Sequence, residues 1–339
     1  MTSNNLDYLL DLWPLSDGTE DHLSCHHLLL RDQVRNETFR RAIHQVVKPG
    51  DHVLDVGAGT GILSAFALQA GAKHVYLVES EDTISCAREL LEHAGWSERV
   101  TLVRGKAESL QYIGGKVDTI LIELIGSFGI DESILDILPP VRNDTLQKRG
   151  HVIPCRMRLL VAPIAHASLE KEMGLYRSTR HGVDLSPLTV FVDNNVCLAN
   201  LRSPQFLAEP QQLIEFDLLT CQQSRFERRV NFPILESGRL IGIAGWFEVD
   251  LCEGVALSNH PMTNKTHWDQ VVFPIGEPVP LQAGDSVSFR LHHDVSAAGD
   301  EWTWSGTIET QQERRRYNHS SENRFPVQRV RTRNTLRIG

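Results

Sequence analysis

The passage HVLDVGAGTGILSAFALQA, residues 52 to 70, constrains this chain more than any other. An apolar run that meets three alternating glycines, Gly57, Gly59 and Gly61, and continues as a helical stretch predicts strand, tight turn and helix. Glycines at such a turn let the backbone come close to a ligand. Gly71 closes the helix. A dinucleotide would want GxGxxG, but Ile62 stands three places after Gly59, so the pattern is GxGxG. Asp55 precedes the loop, and Glu79 ends the next apolar run, HVYLVE, 22 residues after Gly57. A carboxylate there can accept from both ribose hydroxyls. The expected ligand is an unphosphorylated nucleoside such as S-adenosyl-L-methionine, held at Asp55, the three glycines and Glu79. Glu108, in GKAES after the third strand, is the candidate partner of the adenine amino group.

Around that loop the chain has two grammars. Residues 22 to 46 carry apolar positions at helical spacing and stop at Lys48, Pro49 and Gly50. TISCARELLEHAG reads as helix, and VTLVRG and VDTILIEL as strands, so strands alternate with crossover helices in a parallel sheet. After Pro154 come RLLVAPI, IEFDLLT, FERRVNF, LIGIAGWFEVDL, DQVVFPI, DSVSFRLHH and WTWSGTIET, with no long helix between them except near residues 169 to 176. That is an all-β second domain, a barrel or a sandwich. Residues 177 to 210 fit neither grammar and are expected to project as an arm.

Composition narrows the class further. A chain of 339 residues with 41% apolar and 23% charged residues suits two packed globular domains and excludes a disordered chain. The net charge of -9 disfavours nucleic acid and anionic lipid as partners and suits a cationic one. The six cysteines lie far apart without a CxxC pair, which argues against a zinc ribbon or a disulfide framework and for a cytoplasmic home. The first residues show no basic leader, and no run reaches the roughly 18 apolar residues of a membrane helix. His26 and His27 are neighbours that do not share a helix face, and no third ligand has suitable spacing, so no metal is expected. The arginine-rich C-terminal stretch from Arg314 reads as a solvated or strand-pairing tail.

The fourth strand ends at Glu123, and nine residues on, in ELIGSFGIDES, stands Glu132. Two carboxylates at the carboxyl edge of a parallel sheet need a cation. A guanidinium, with five donors in a planar fork, can be clamped by two glutamates from two sides.

With these residues in view the chain resembles the protein arginine methyltransferase family over nearly all its length. VLDVGAGTGILSAFALQAGA is similar to the family's first motif, GKAES to its adenine-contacting segment and IELIGSFGIDES to its double-glutamate loop. THW at 266 to 268 is similar to the loop that walls the substrate pocket, which assigns Trp268 to substrate binding. The resemblance implies that Arg35, in HHLLLRDQVRNETFRRAI, pairs with the cofactor carboxylate. It implies an N-terminal helical cover over residues 1 to 50, a Rossmann-like domain over 51 to 155, and a β-barrel-like domain over 156 to 339 whose arm makes a homodimer. SDGTEDHLSCHH lacks the family's common tyrosines, and Ser127 stands where a tyrosine is frequent. ELIGSF is closest to the symmetric-dimethylating branch, which usually lacks THW. Leu29 takes the place of a product-steering methionine or phenylalanine, so the product stays open.

In the expected chemistry Glu123 and Glu132 orient the guanidinium against the methyl donor, and His267, paired with Asp32, takes the proton. The acceptor is an arginine in a peptide or protein, or free L-arginine. Two alternatives stand beside this: a transferase for another small guanidine, and a noncatalytic scaffold that keeps the fold.

Overall fold

The apolar run before the glycines becomes the middle of a parallel sheet. In the computed structural model, which describes residues 22–107, 115–263, 265–296 and 299–323, α1 (His22–Arg31) and α2 (Gln33–Val46) lead into it. β1 (His52–Val56), α3 (Ile62–Gln69), β2 (His74–Glu79), α4 (Ile84–His93), β3 (Val100–Arg104), β4 (Val117–Ile122), α5 (Ile134–Thr145) and β5 (Leu146–Ile153) follow. The sheet order is β3-β2-β1-β4-β5, every pair parallel. Val53, Leu54 and Val56 are buried because β1 is covered on both faces and flanked on both edges.

Residues 22 to 46, expected as one helix, are two. Asp32 stands between them in an extended conformation and accepts the Arg35 N–H at 2.9 Å. A carboxylate satisfies an orphan donor of a new helix better than it serves inside an old one. Helix α5 and strand β5 were not legible. Pro139 and Pro140 lie inside α5 and withhold two N–H groups, which hides the helical pattern.

Antiparallel pairing begins after Pro154. β6 (Arg156–Ala165), α6 (Ala167–Gly174), the two-residue β7 (Thr179–Arg180) and β8 (Val183–Asp184), α7 (Thr189–Asp193), β9 (Cys197–Ala199), β10 (Gln205–Phe206) and β11 (Gln211–Asp217) come first. Then come β12 (Phe226–Pro233), β13 (Gly238–Cys252), β14 (Val255–Ser258), β15 (Gln270–Leu281), β16 (Ser286–Ser296), β17 (Gly299–Glu309) and β18 (Arg314–Ser320). One sheet runs β10-β6-β13-β15-β9, with β11 on β6 and β14 on β13; the other runs β12-β16-β17-β18. These are the barrel-like second part. Between their faces lie Trp304, Phe273 and Phe289, all fully buried.

Two expectations change here. Residues 177 to 210 do not all stand apart, because Cys197–Ala199 pairs with β15 and Gln205–Phe206 with β6. Strands of two or three residues are too short to show a period of two, so sequence alone merged them with the projecting part. The arginine-rich stretch begins as a paired strand, since β18 lies on β17, while residues 324 to 339 fall outside the described region.

The two parts are bound through polar groups of the loop after β4. Asn259, 2% exposed, accepts the Phe247 N–H at 2.8 Å and donates to Ser127 O at 2.8 Å and Asp269 O at 2.7 Å. Phe128 packs edge-on against Phe273 and Trp302 of the β sheets. Replacing Asn259 by Ala would strand a buried N–H and two carbonyls. It should cost about 3 kcal/mol of folding free energy, read as a lower denaturant midpoint at unchanged slope. A loss below about 0.5 kcal/mol would mean the loop is held by packing alone.

Candidate active site

The glycine loop opens into a cleft of about 730 Å³, within the range of roughly 300–1,000 Å³ usual for small-molecule sites. Gly57, Gly59 and Gly61 all have positive φ. A Cβ on Gly59 would come 2.5 Å from the His26 ring, and one on Gly57 2.8 Å from Leu124. The loop backbone is therefore bare, under a roof of His26 and Leu29 from α1, which also line the cleft. Glu79 faces the same space. Its two oxygens accept the Gly59 N–H at 2.8 Å and the Glu81 N–H at 2.9 Å, which fixes the carboxylate and leaves lone pairs for two hydroxyls. These features fit a nucleoside. His26 was missed in the sequence; its place three residues before Leu29 on one helix face is the signal that could have found it.

Asp55 does not line the cleft. It is 1% exposed beneath the loop and accepts the Ser64 hydroxyl at 2.6 Å, tying β1 to α3. Burial pushes its pKa up to about 6 despite the bonds from Ser64. Its expected contact with the cofactor is thus replaced by support of the turn. The last residues of a strand announce a site without saying which side chain faces it. Glu108 lies outside the described residues.

Arg35 supplies a cation that sequence reasoning had sent elsewhere. Its Nε donates to Glu123 Oε2 at 3.0 Å, Nη2 bonds the same oxygen, and Nη1 donates to Asn36 Oδ1 at 2.7 Å. Arg35 and Glu123 are 4% and 7% exposed. Arg35 also lines the cleft and keeps donors to spare, so the pair does not exclude a bond to a ligand carboxylate.

Glu132, by contrast, has no ion-pair partner among the described residues. Its surface is open to the cleft, yet protein encloses it on the other sides. Burial first, then the charges of Glu123 and Asp131, push its pKa up to about 7. The two glutamates are therefore unequal: one already holds a cation, the other awaits one.

Asp32 and His267 meet across 235 positions, with Asp32 Oδ2 accepting the His267 N–H at 2.8 Å and facing Nδ1 at 2.9 Å. Burial pushes the Asp32 carboxyl up, but the donors of His267 and Arg35 more than reverse this and hold it below its ordinary range. Neither His267 nor Trp268 lines the cleft with the glutamates. Trp268 donates its indole N–H to Ile125 O at 2.5 Å and packs edge-on to Phe247. It braces the double-glutamate loop from below instead of walling the cleft as expected.

Two family models match the chain: one described as a methyltransferase domain over residues 53–135, and one as an arginine methyltransferase oligomerization subdomain over 156–300. Protein arginine N-methyltransferase 1 of Saccharomyces cerevisiae is 32% identical over 280 residues, covering 80% of each chain. The chain belongs to the arginine methyltransferase family. It is an S-adenosylmethionine-dependent enzyme that methylates arginine. An arginine N(omega)-methyltransferase of Streptomyces achromogenes subsp. streptozoticus is 29% identical over 78% of this chain and 75% of its own. The fold matches protein arginine methyltransferase 10 of Arabidopsis thaliana, with a TM-score of 0.75 at 25% identity over 87% of this chain and 97% of that one. It also matches the PRMT1 enzyme-prozyme heterotetrameric complex with AdoHcy of Trypanosoma brucei, with a TM-score of 0.81 at 24% identity over 87% and 96%.

The lone carboxylate gives this methyltransferase a measurable signature. Folded, Glu132 takes up a proton near pH 7; unfolded, near 4.5. The folded state binds the extra proton between those values, so the contribution of Glu132 to stability is present at low pH and lost as pH rises through that window. Between about pH 8 and about pH 6 the wild type should gain melting temperature relative to Glu132→Gln, which has no such proton. A difference independent of pH would refute the raised value.

Proposed function

We propose that the chain transfers a methyl group to a guanidino nitrogen of arginine presented by a peptide or protein, as a cytoplasmic homodimer. The observation that carries the acceptor is the inequality of the two glutamates of this loop: Glu123 is held by Arg35, while Glu132, in the cleft, has no ion-pair partner among the described residues. S-adenosylmethionine, when bound, supplies an electrophilic methyl. Gly57, Gly59 and Glu79 would hold its nucleoside, with His26 and Leu29 above and Glu108 assigned to the adenine; Gly61, expected beside them, does not line the cleft and instead packs the turn onto Ala87. Arg35 would reach its carboxylate while keeping Glu123 in place.

Glu123 and Glu132 then orient the guanidinium and draw its charge away from the attacking nitrogen. A guanidinium is a poor nucleophile with a pKa above about 12, so a proton must leave during or after transfer. Glu132 is the better placed acceptor, because it lines the cleft whereas His267 does not and faces Asp32. His267 is reassigned to positioning: it fixes Asp32, which caps the helix that carries Arg35. The case against a noncatalytic scaffold narrows accordingly. Glu123 has its own cation, and of the two glutamates it is Glu132 that has no ion-pair partner among the described residues.

The Streptomyces relative favours a second reading, free arginine as the acceptor. One assay separates the two. Glu132→Gln should lower kcat/KM at least a hundredfold, because Glu132, open to solvent at the cleft, is covered once the acceptor is seated, and a buried charge pair broken on one side costs about 3 to 5 kcal/mol, each 1.36 kcal/mol being about tenfold. Cofactor affinity by calorimetry should not change. Glu123→Gln should lose as much and also weaken cofactor binding, since it releases Arg35. Run in parallel on arginine peptides and free arginine, the assay names the acceptor. Near-full activity of both variants on all of them would sink the assignment.

The dimer is supported by complementary apolar surfaces and by the oligomerization model. Val183, Leu188 and Val190 of the projecting segment are 59%, 42% and 49% exposed. A groove of about 610 Å³ beside α1 and α2 carries Leu30, Val34 and Phe66. A two-fold axis would seat each segment in the other's groove. Light scattering should give twice 38.2 kDa for the wild type and 38.2 kDa for Leu188→Glu/Val190→Glu. A wild-type monomer at micromolar concentration would remove the dimer.

A further inference from the structure

The rim of the cleft is not made by the parallel part alone. Val295 and Gly299, at the tip of the β16–β17 hairpin, line it together with Glu132 and Asp136. What fixes that tip lies just behind it. His293, 1% exposed, faces Ser224 O with Nδ1 at 2.9 Å and Asp300 Oδ1 with Nε2 at 2.9 Å. Its ring lies against Trp302, with centroids 4.3 Å apart. A carbonyl oxygen can only accept, so Nδ1 carries a proton. The contact at Nε2 needs a second one, on the ring or on Asp300. Both polar atoms of this buried ring are therefore committed.

The partners lead to one place. The Ser224 hydroxyl donates to Asp136 Oδ1 at 2.7 Å, and Asp136 lies in the first turn of α5, which starts two residues after Glu132. On the other side, Asp300 shares a cavity of about 270 Å³ with Asp131, the residue before Glu132. One ring thus reaches one flank of Glu132 by hydrogen bonds through Ser224, and on the other flank it holds Asp300, a like charge that shares a cavity with Asp131.

We propose that His293 is a positioning residue for the acceptor: through Ser224 it ties the β16–β17 hairpin to the Glu132 loop, by holding Asp300 it fixes the like charge that faces Asp131, and together these set where the Glu132 carboxylate stands. The inference rests on the functional reading above, which makes Glu132 the holder of the guanidinium. His293 touches no reacting atom. Its effect must pass through acceptor binding while the nucleoside site, on the far side of Arg35, is left alone.

Three variants divide the possibilities. His293→Phe keeps a ring against Trp302 and removes both polar contacts; His293→Asn restores a donor near the Nδ1 position. Ser224→Ala keeps the carbonyl that faces His293 and cuts only the bond to Asp136, so the question can still be answered if His293→Phe does not fold. In His293→Phe, KM for an arginine peptide should rise about tenfold, the equivalent of about 1.4 kcal/mol for one hydrogen-bonded link. Cofactor affinity should stay within about twofold, and His293→Asn should recover most of the loss. Amide hydrogen exchange over residues 130 to 140 should quicken in His293→Phe and in Ser224→Ala, with or without acceptor present. Unchanged exchange and KM in an active protein would overturn this inference alone, as would KM and cofactor affinity worsening in parallel. A wild type that methylates no arginine acceptor would overturn the functional reading, while unaltered exchange in the same protein would overturn the linkage.

Discussion

The buried ion pair between Arg35 and Glu123 organises everything around it. Arg35 comes from α2, Glu123 from the end of β4, and 88 positions of chain separate them. Removing either partner would leave a charge with little water to receive it, which is far costlier than never having buried the pair. The surrounding structure is consistent with that demand. Asp32 starts the helix at the right residue, Asn36 takes the remaining edge of the guanidinium, and the Phe39 ring lies 5.6 Å below it. Because that helix is docked in this way, α1 lies over the glycine turn, and His26 comes to rest above Gly59.

The same pair explains why the site contains two carboxylates that behave differently. Arg35 is spent on Glu123, so the second glutamate has no cation of its own; burial first, then the charges of Glu123 and Asp131, disfavour its ionised form more than Arg35 favours it. An environment that disfavours the charged form there is unfavourable for the empty protein and favourable for one that receives a cation. Activity and stability pull against each other at this residue, which is common where function requires a group the fold alone would not choose.

Legibility in the sequence followed the range of the physics. The strand, glycine turn and helix could be read because their signals lie within about twenty neighbouring residues and each points the same way. The double-glutamate loop was visible for the same reason: carboxylates at a sheet edge have few structural excuses. Pairing at a distance was not visible from the residues. That Asp32 would meet His267 followed from resemblance, and that Arg35 would be claimed by Glu123 followed from nothing local. Asp55 shows a finer limit. Its position at the end of β1 was clear, but the side it faces depends on α3 packing underneath, and Ser64 wins it. Helix α5 was hidden by its own prolines, and β9 and β10 by their brevity.

Covalent order and mechanical order differ in this molecule. The segment from Ile125 to Phe128 belongs by connectivity to the parallel sheet. Yet its backbone is gripped by Trp268 and Asn259, and its one large side chain is sunk among the aromatics of the second part. The other end of the clamp is held from the same side: Arg35, which grips Glu123, rides on a helix whose cap, Asp32, is bonded to His267 of the second part. Asp136, four residues after Glu132, is likewise bonded to Ser224. Both carboxylates come by connectivity from the parallel sheet, yet the spacing between them is gauged by the β sheets against which that sheet is seated.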